Sequence, residues 1–351
     1  MGVGTQMTST TTFDFDDTLE RVSFLFADAA PALVRRFRRL VDGASAALDV
    51  DDVQAQPLWA KVAAGQHDDG SFGDRPAANA RLLSTLWTLR TLTDLGGGPP
   101  CAAWAKAHRF LADHAVVDGG FSFTGERAGV LSCYTGLCAS MLQAAQEQHR
   151  VDDDVEHTRL QLVAWLHTHQ QVQRRGDSRR AQTPEVFHPS LATRYGGCFA
   201  STSCFTGVVR AAQASPPDSD VVQAARAFLL ERRVMQTSAG RILPLVSKPS
   251  ADDETRAQWL KIHHPVGYHV DLLEALQVVT STGAWDARMQ PAVAHVLQQQ
   301  LDDGTWPLQA KAKQPGLWAL ERVNRRRGSP TATVRVLEAL APVARDMPVQ
   351  H

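Results

Sequence analysis

Apolar residues recur at three- and four-residue steps along most of the chain. The window Asn79 to Leu95 shows this best, with Leu82, Leu83, Leu86, Leu89 and Leu92 at helical spacing. The run Gly96-Gly97-Gly98-Pro99-Pro100 then supplies a hard stop. The same spacing predicts helices at Ala102–His114, Val130–Gln148, Glu156–Gln171, Cys204–Ala214, Val221–Arg233, Val270–Thr280, Ala292–Leu301 and Thr331–Val343. Alternating Val, Ile, Thr and aromatic runs, the signature of strands, are nearly absent. The pattern predicts an all-α chain whose helices arrive in pairs.

Between the pairs lies a repeat. Gln66-His67-Asp68-Asp69-Gly70-Ser71-Phe72 and Gln300-Leu301-Asp302-Asp303-Gly304-Thr305-Trp306 share Gln, then Asp-Gly, then an aromatic one residue on. Asp118-Gly119-Gly120-Phe121 is a third copy without the Gln, and Gly196-Gly197-Cys198-Phe199 is a degenerate fourth. The physical logic is a turn: Gly takes a left-handed conformation, Asp accepts from backbone donors of the bend, and the aromatic staples the loop down.

These turns resemble the repeats of squalene/hopene cyclases and protein prenyltransferase β subunits. The resemblance covers roughly 49–342 and implies an α/α toroid of five to six helical hairpins around a central apolar cavity. It places Asn79–Leu95, Cys133–Gln148, Cys204–Ala214, Gly267–Thr280 and Thr331–Val343 on the inside. A second, more local likeness joins Tyr195 through Gly207 to Gly267-Tyr268-His269-Val270-Asp271. That stretch is similar to bacterial squalene-cyclase-like proteins of poorly defined role. The expected organisation is a helical extension over 1–40, the toroid over 41–345 and a tail over 346–351. Inner-helix N-termini ringing one mouth would suit an anionic group such as a diphosphate.

Composition narrows the function classes. The chain has 351 residues, with 36 Lys+Arg against 37 Asp+Glu and 44% hydrophobic residues. That length suffices for one large core. The balanced charge excludes the basic footprint of general nucleic-acid binding. No apolar run approaches the roughly 18–20 residues of a membrane span, and Met1–Thr12 lacks the blocks of a secretory signal. A soluble, cytoplasmic protein is expected, with peripheral membrane contact left open by an apolar substrate. Gly2 does not open a myristoylation motif, because position six is Gln6. Five cysteines without an export signal point to free or metal-bound thiols rather than disulfides.

The resemblance implies isoprenoid chemistry of the terpene-cyclase kind. In that reading Asp271, near an inner-helix start, is the acid, given enough desolvation to raise its pKa, while Tyr268, His269 and Tyr134 shape the mouth. Trp87 and Cys133 would line the substrate, Trp87 through cation–π contact, and Arg326 and Arg327, just before the last inner helix, would grip its anionic end. The alternative is a zinc-dependent prenyl transfer. The resemblance puts Cys204 and His269 at ligand positions, Thr202 stands where the family has Asp, and Cys198 or His263 would complete the set. Buried, inert thiols are the plainer reading of these cysteines. A non-catalytic hydrophobic-ligand carrier is the third reading.

Two Asp-x-Asp-Asp matches, Asp14-Phe15-Asp16-Asp17 and Asp49-Val50-Asp51-Asp52, imitate the cyclase acid motif but precede the first inner helix and read as acidic helix starts. Phe13 to Leu19 also imitates a phosphatase nucleophile motif, without the strand that chemistry needs. Asp16 to Glu20 as a magnesium site lacks a partner motif.

Overall fold

The computed structural model describes residues 13–43, 46–74, 78–150, 152–169, 202–236, 242 and 257–347. The fold is all-α. Thirteen helices appear among the described residues: α1 (Phe15–Val22), α2 (Pro31–Asp42), α3 (Val50–Gln54), α4 (Pro57–Ala63), α5 (Ala78–Asp94), α6 (Ala102–Ala115), α7 (Ser132–Gln148), α8 (Asp153–His169), α9 (Thr202–Gln213), α10 (Asp220–Glu231), α11 (Leu272–Thr280), α12 (Gln290–Leu297) and α13 (Pro330–Leu340). From α4 onward they pair as hairpins. The second members, α5, α7, α9, α11 and α13, follow one another in space, α7 packing on α9, α9 on α11 and α11 on α13. They are apolar on several faces because each has neighbours on several sides.

The repeated turns explain how each hairpin is built. Gly70 and Gly304 have φ of +90° and +85°, a region that Gly enters without steric cost. Asp69 Oδ1 accepts from the backbone N–H and the hydroxyl of Ser71, and Asp303 Oδ1 does the same for Thr305. Gln66 Nε2 donates across the bend to the Gly70 carbonyl, as Gln300 Nε2 does to Gly304. The aromatics Phe72, Phe121 and Trp306 are buried. Their backbone N–H groups donate to Thr85, Thr135 and Thr333, one on each following inner helix, at 2.9–3.0 Å. In the third copy Asp118 and Gly119 turn a two-residue hairpin, with Val116–Val117 (β1) paired to Gly120–Phe121 (β2). The fourth copy lies outside the described residues.

The N-terminal helices α1 and α2 pack into the core of α13. A boundary at residue 40 falls inside α2, and Leu19, Val22, Phe26, Leu33 and Phe37 share one core with Val334, Leu337 and Leu340 of α13. Arg36 of α2 forms a side-on pair with Glu338 of α13. A second unexpected element is the segment 309–318. It accepts from His264 through the Ala310 carbonyl, then crosses to α5, where Thr91 donates to the Gly316 carbonyl and accepts from the Trp318 N–H.

Candidate functional site

The turn-side mouth, at the N-terminal ends of α7 and α11, carries an aromatic basin. Tyr134 enters from the first turn of α7 and Tyr268 from the loop before α11, with ring centroids 5.1 Å apart. Trp87 meets Tyr134 edge-on at 6.4 Å, and Phe121 and Phe123 flank it at 6.2 and 6.1 Å. Trp87 and Phe121 are buried, whereas Tyr134, Tyr268 and Phe123 are only half-buried and present ring surface. Cys133 Sγ lies 2.9 Å from the Tyr268 hydroxyl. His269 packs edge-on against Tyr268 at 5.0 Å. Its ring is accessible, yet its pKa is lowered by desolvation first and by the Arg210 charge second. Five of the expected residues, Trp87, Cys133, Tyr134, Tyr268 and His269, are thus brought together.

Asp271, the expected acid, sits in a buried ion pair. Its carboxylate accepts from both terminal nitrogens of Arg335 at 2.7 and 2.9 Å and caps α11 through the Glu274 N–H at 3.0 Å. Burial pushes the carboxyl up, but the Arg335 guanidinium beside it holds the net value below the usual carboxylate range. An ionised, doubly bonded carboxylate has no proton to donate at neutral pH. Its pair anchors the start of α11, three residues after Tyr268. The Asp-x-Asp-Asp matches are caps too: Asp14 accepts from Asp17 N–H at 3.0 Å and Asp49 from Asp51 N–H at 2.8 Å.

A second buried pair lies close by. Arg210 of α9 and Glu274 of α11 meet at 2.5 Å, and Arg210 also donates to Gln213 and to the Gly267 carbonyl, directly beneath Tyr268 in sequence. Gly136 makes room for it: a Cβ there would lie 2.6 Å from Arg210 Cβ. Residues of α5, α7, α9, α11 and α13, together with α2 and His264, line a chamber of ≈ 410 Å³. The expected central cavity is apolar; this chamber is lined by six arginines and four carboxylates.

Arg326 and Arg327 are exposed on a strand, Asn324–Gly328 (β4), that pairs with Pro307–Leu308 (β3). No hydrogen bond, ion pair or ring contact among the described residues joins them to the basin. Cys198 and the Cys204 side chain lie outside the described residues, which leaves His263 and His269 of the candidate zinc set. Among the described residues no cluster of three or more His, Cys, Asp or Glu is arranged to hold a metal ion. No helix of the described residues is long and apolar enough to cross a membrane.

No known family model matches the chain, and no curated protein matches it. Among solved structures the chain is similar to a variant of the type II terpene cyclase MstE of Scytonema, determined in complex with geranylgeranyl dihydroxybenzoate. The identity is 14%, the TM-score 0.43, and the match covers 95% of this chain and 98% of that one. None of the site residues takes a role from this likeness.

Proposed function

We propose that the protein takes a linear isoprenoid into the aromatic basin and acts on it in the manner of a terpene cyclase. One observation carries the reading: Trp87, Phe121, Phe123, Tyr134 and Tyr268 set five rings around a partly open surface at the mouth. Ring faces pack against methyl-branched chains and stabilise cationic carbon. His269, with its lowered pKa, is neutral at pH 7 and beside Tyr268. That is the protonation state of a base that takes the proton ending a cationic sequence. Asp271, held ionised by Arg335, positions Tyr268 instead of starting the reaction. The same observation favours a second reading, uptake of the chain without turnover.

The test is to extract lipid from freshly purified protein for mass spectrometry, then to incubate the protein with farnesyl and geranylgeranyl diphosphate and with a linear triterpene. Cyclic product that disappears in Tyr134→Ala and Tyr268→Ala supports catalysis. A bound chain recovered unchanged supports carriage. No bound isoprenoid and no product removes both readings.

A further inference from the structure

The chamber at the far end of the inner helices contains polar groups that the fold leaves unpaired. Arg210 Nε, Glu274 Oε2, His264 Nε2 and Gln148 Oε1 are buried, line it, and have no hydrogen-bond partner among the described residues. Arg210 is 1% exposed. Leaving such groups bare costs about 1–3 kcal/mol each, so they imply an occupant. Water fills a polar cavity and satisfies hydrogen bonds, but it supplies no charge. Of the six lining arginines, Arg36, Arg39, Arg90 and Arg210 pair with Glu338, Glu147, Asp94 and Glu274, and Arg335 pairs with Asp271 behind the wall. Arg35 makes no ion pair among the described residues; it donates to the Ala46 and Glu147 carbonyls and shares the charge of Glu147 with Arg39.

The converging helix ends would offset that surplus, since each carries about half a negative charge. Their terminal carbonyls, however, are already taken: Thr93 O by Gln148 Nε2, Glu147 O by Arg35, Ala339 O by the Thr280 hydroxyl. Donors also exceed acceptors. Arg90 spends only Nε on Asp94 and turns its two terminal nitrogens to no acceptor among the described residues. Glu274 Oε2 and Gln148 Oε1, by contrast, need a donor.

We propose that this chamber binds a compact oxyanion bearing its own hydroxyl donor, of the class whose simplest member is protonated phosphate. The oxyanion meets Arg90, Arg210 Nε and the Arg35 charge, and the hydroxyl meets Glu274 or Gln148. The volume suits a small ligand, at the low end of the roughly 300–1,000 Å³ of ligand pockets. The site is separated from the aromatic basin by the Arg210–Glu274 and Asp271–Arg335 pairs and stands apart from the isoprenoid reading.

The probes are inorganic phosphate and sulfate, equal in shape, of which only phosphate keeps an O–H near pH 7. Isothermal titration of the full chain at fixed ionic strength should show saturable phosphate binding at least tenfold tighter than sulfate. Arg90→Lys, which keeps the charge but loses the fork, and Ala144→Phe, which fills the chamber from α7, should each weaken phosphate at least tenfold with unchanged far-UV circular dichroism. Absence of phosphate binding, or phosphate and sulfate binding alike (an adventitious ion only), overturns the proposal. So does binding that both folded variants retain. Should a variant not fold, the phosphate–sulfate comparison on the parent decides.

Discussion

Replacing Arg335 by Met removes one partner of a buried ion pair and leaves the other in place. Asp271 keeps its cap on the Glu274 N–H but loses both guanidinium bonds. With Asp271 1% and Arg335 6% exposed, solvent does not make up the loss, and truncating one side of such a pair costs about 3–5 kcal/mol. That is a large part of the roughly 5–15 kcal/mol that holds a domain together. With 351 residues and an unfolding entropy of about 2.1 cal/mol/K per residue, a loss of about 4 kcal/mol lowers Tm by roughly 5 °C. The penalty also depends on pH. In the parent the folded pKa of Asp271 lies below its unfolded value of about 3.9, so its contribution is complete above that value and is lost as pH falls through the folded one. Without Arg335, burial, the largest influence on this carboxyl, is opposed only by His263 and the Glu274 N–H, and the folded pKa rises above the unfolded value. The variant then loses stability as pH climbs from about 4, so the difference from the parent is largest at pH 7 and smaller at pH 5. Urea unfolding followed by far-UV circular dichroism at both pH values measures it, and Asp271→Asn added to Arg335→Met should restore part of the loss. A difference under about 1 kcal/mol at pH 7, or one equal at the two pH values, refutes the assignment of this pair as the clamp on α11.

Two further perturbations address the turns and the interior. Gln66→Leu removes donation to the Gly70 and Ala103 carbonyls and should cost about 1–3 kcal/mol in urea unfolding; an unchanged midpoint would count against the Gln as a structural brace. His264, held at about 3 by burial, has a folded pKa below its unfolded value of about 6.5, so the stability it contributes is present above pH 6.5 and drains away as pH falls towards 3. His264→Gln should flatten the stability–pH curve between pH 6 and 4 by up to about 1.4 kcal/mol per pH unit, and an unaltered slope would show that the imidazole is not buried neutral.

The sequence made the helices legible because a 3.6-residue rhythm is local information. The window from Asn79 to Leu95 became a helix over Ala78–Asp94, and the Thr331 window became Pro330–Leu340. The Gln–Asp–Gly–aromatic turns were legible for the same reason, since left-handed Gly and self-bonding Asp are properties of a few adjacent residues. What escaped was the latch: Thr85 and Thr135 sit 13 and 14 residues past their aromatics, but Thr333 sits 27 past Trp306 because the β3–β4 excursion intervenes. The merging of α1 and α2 into the core of α13 escaped as well. Contacts between residue 36 and residue 338 leave no trace in a local window.

The ion pair of Asp271 has a signature in the sequence, carried by three charged residues within apolar runs. Arg210 stands in Val208-Val209-Arg210-Ala211-Ala212, Arg335 in Thr333-Val334-Arg335-Val336-Leu337 and Glu274 in Leu272-Leu273-Glu274-Ala275-Leu276. A charged residue with apolar neighbours on both sides of a two-sidedly buried helix has no wet face to turn to, so it must meet an opposite charge inside. Two such arginines on α9 and α13, facing the Asp271-Leu272-Leu273-Glu274 start of α11, already require two internal ion pairs. A layer of helices that buries pairs of this kind cannot be apolar throughout. That is why the half-buried ring surface lies at the N-terminal ends of α7 and α11, while the interior chamber is lined by charged groups.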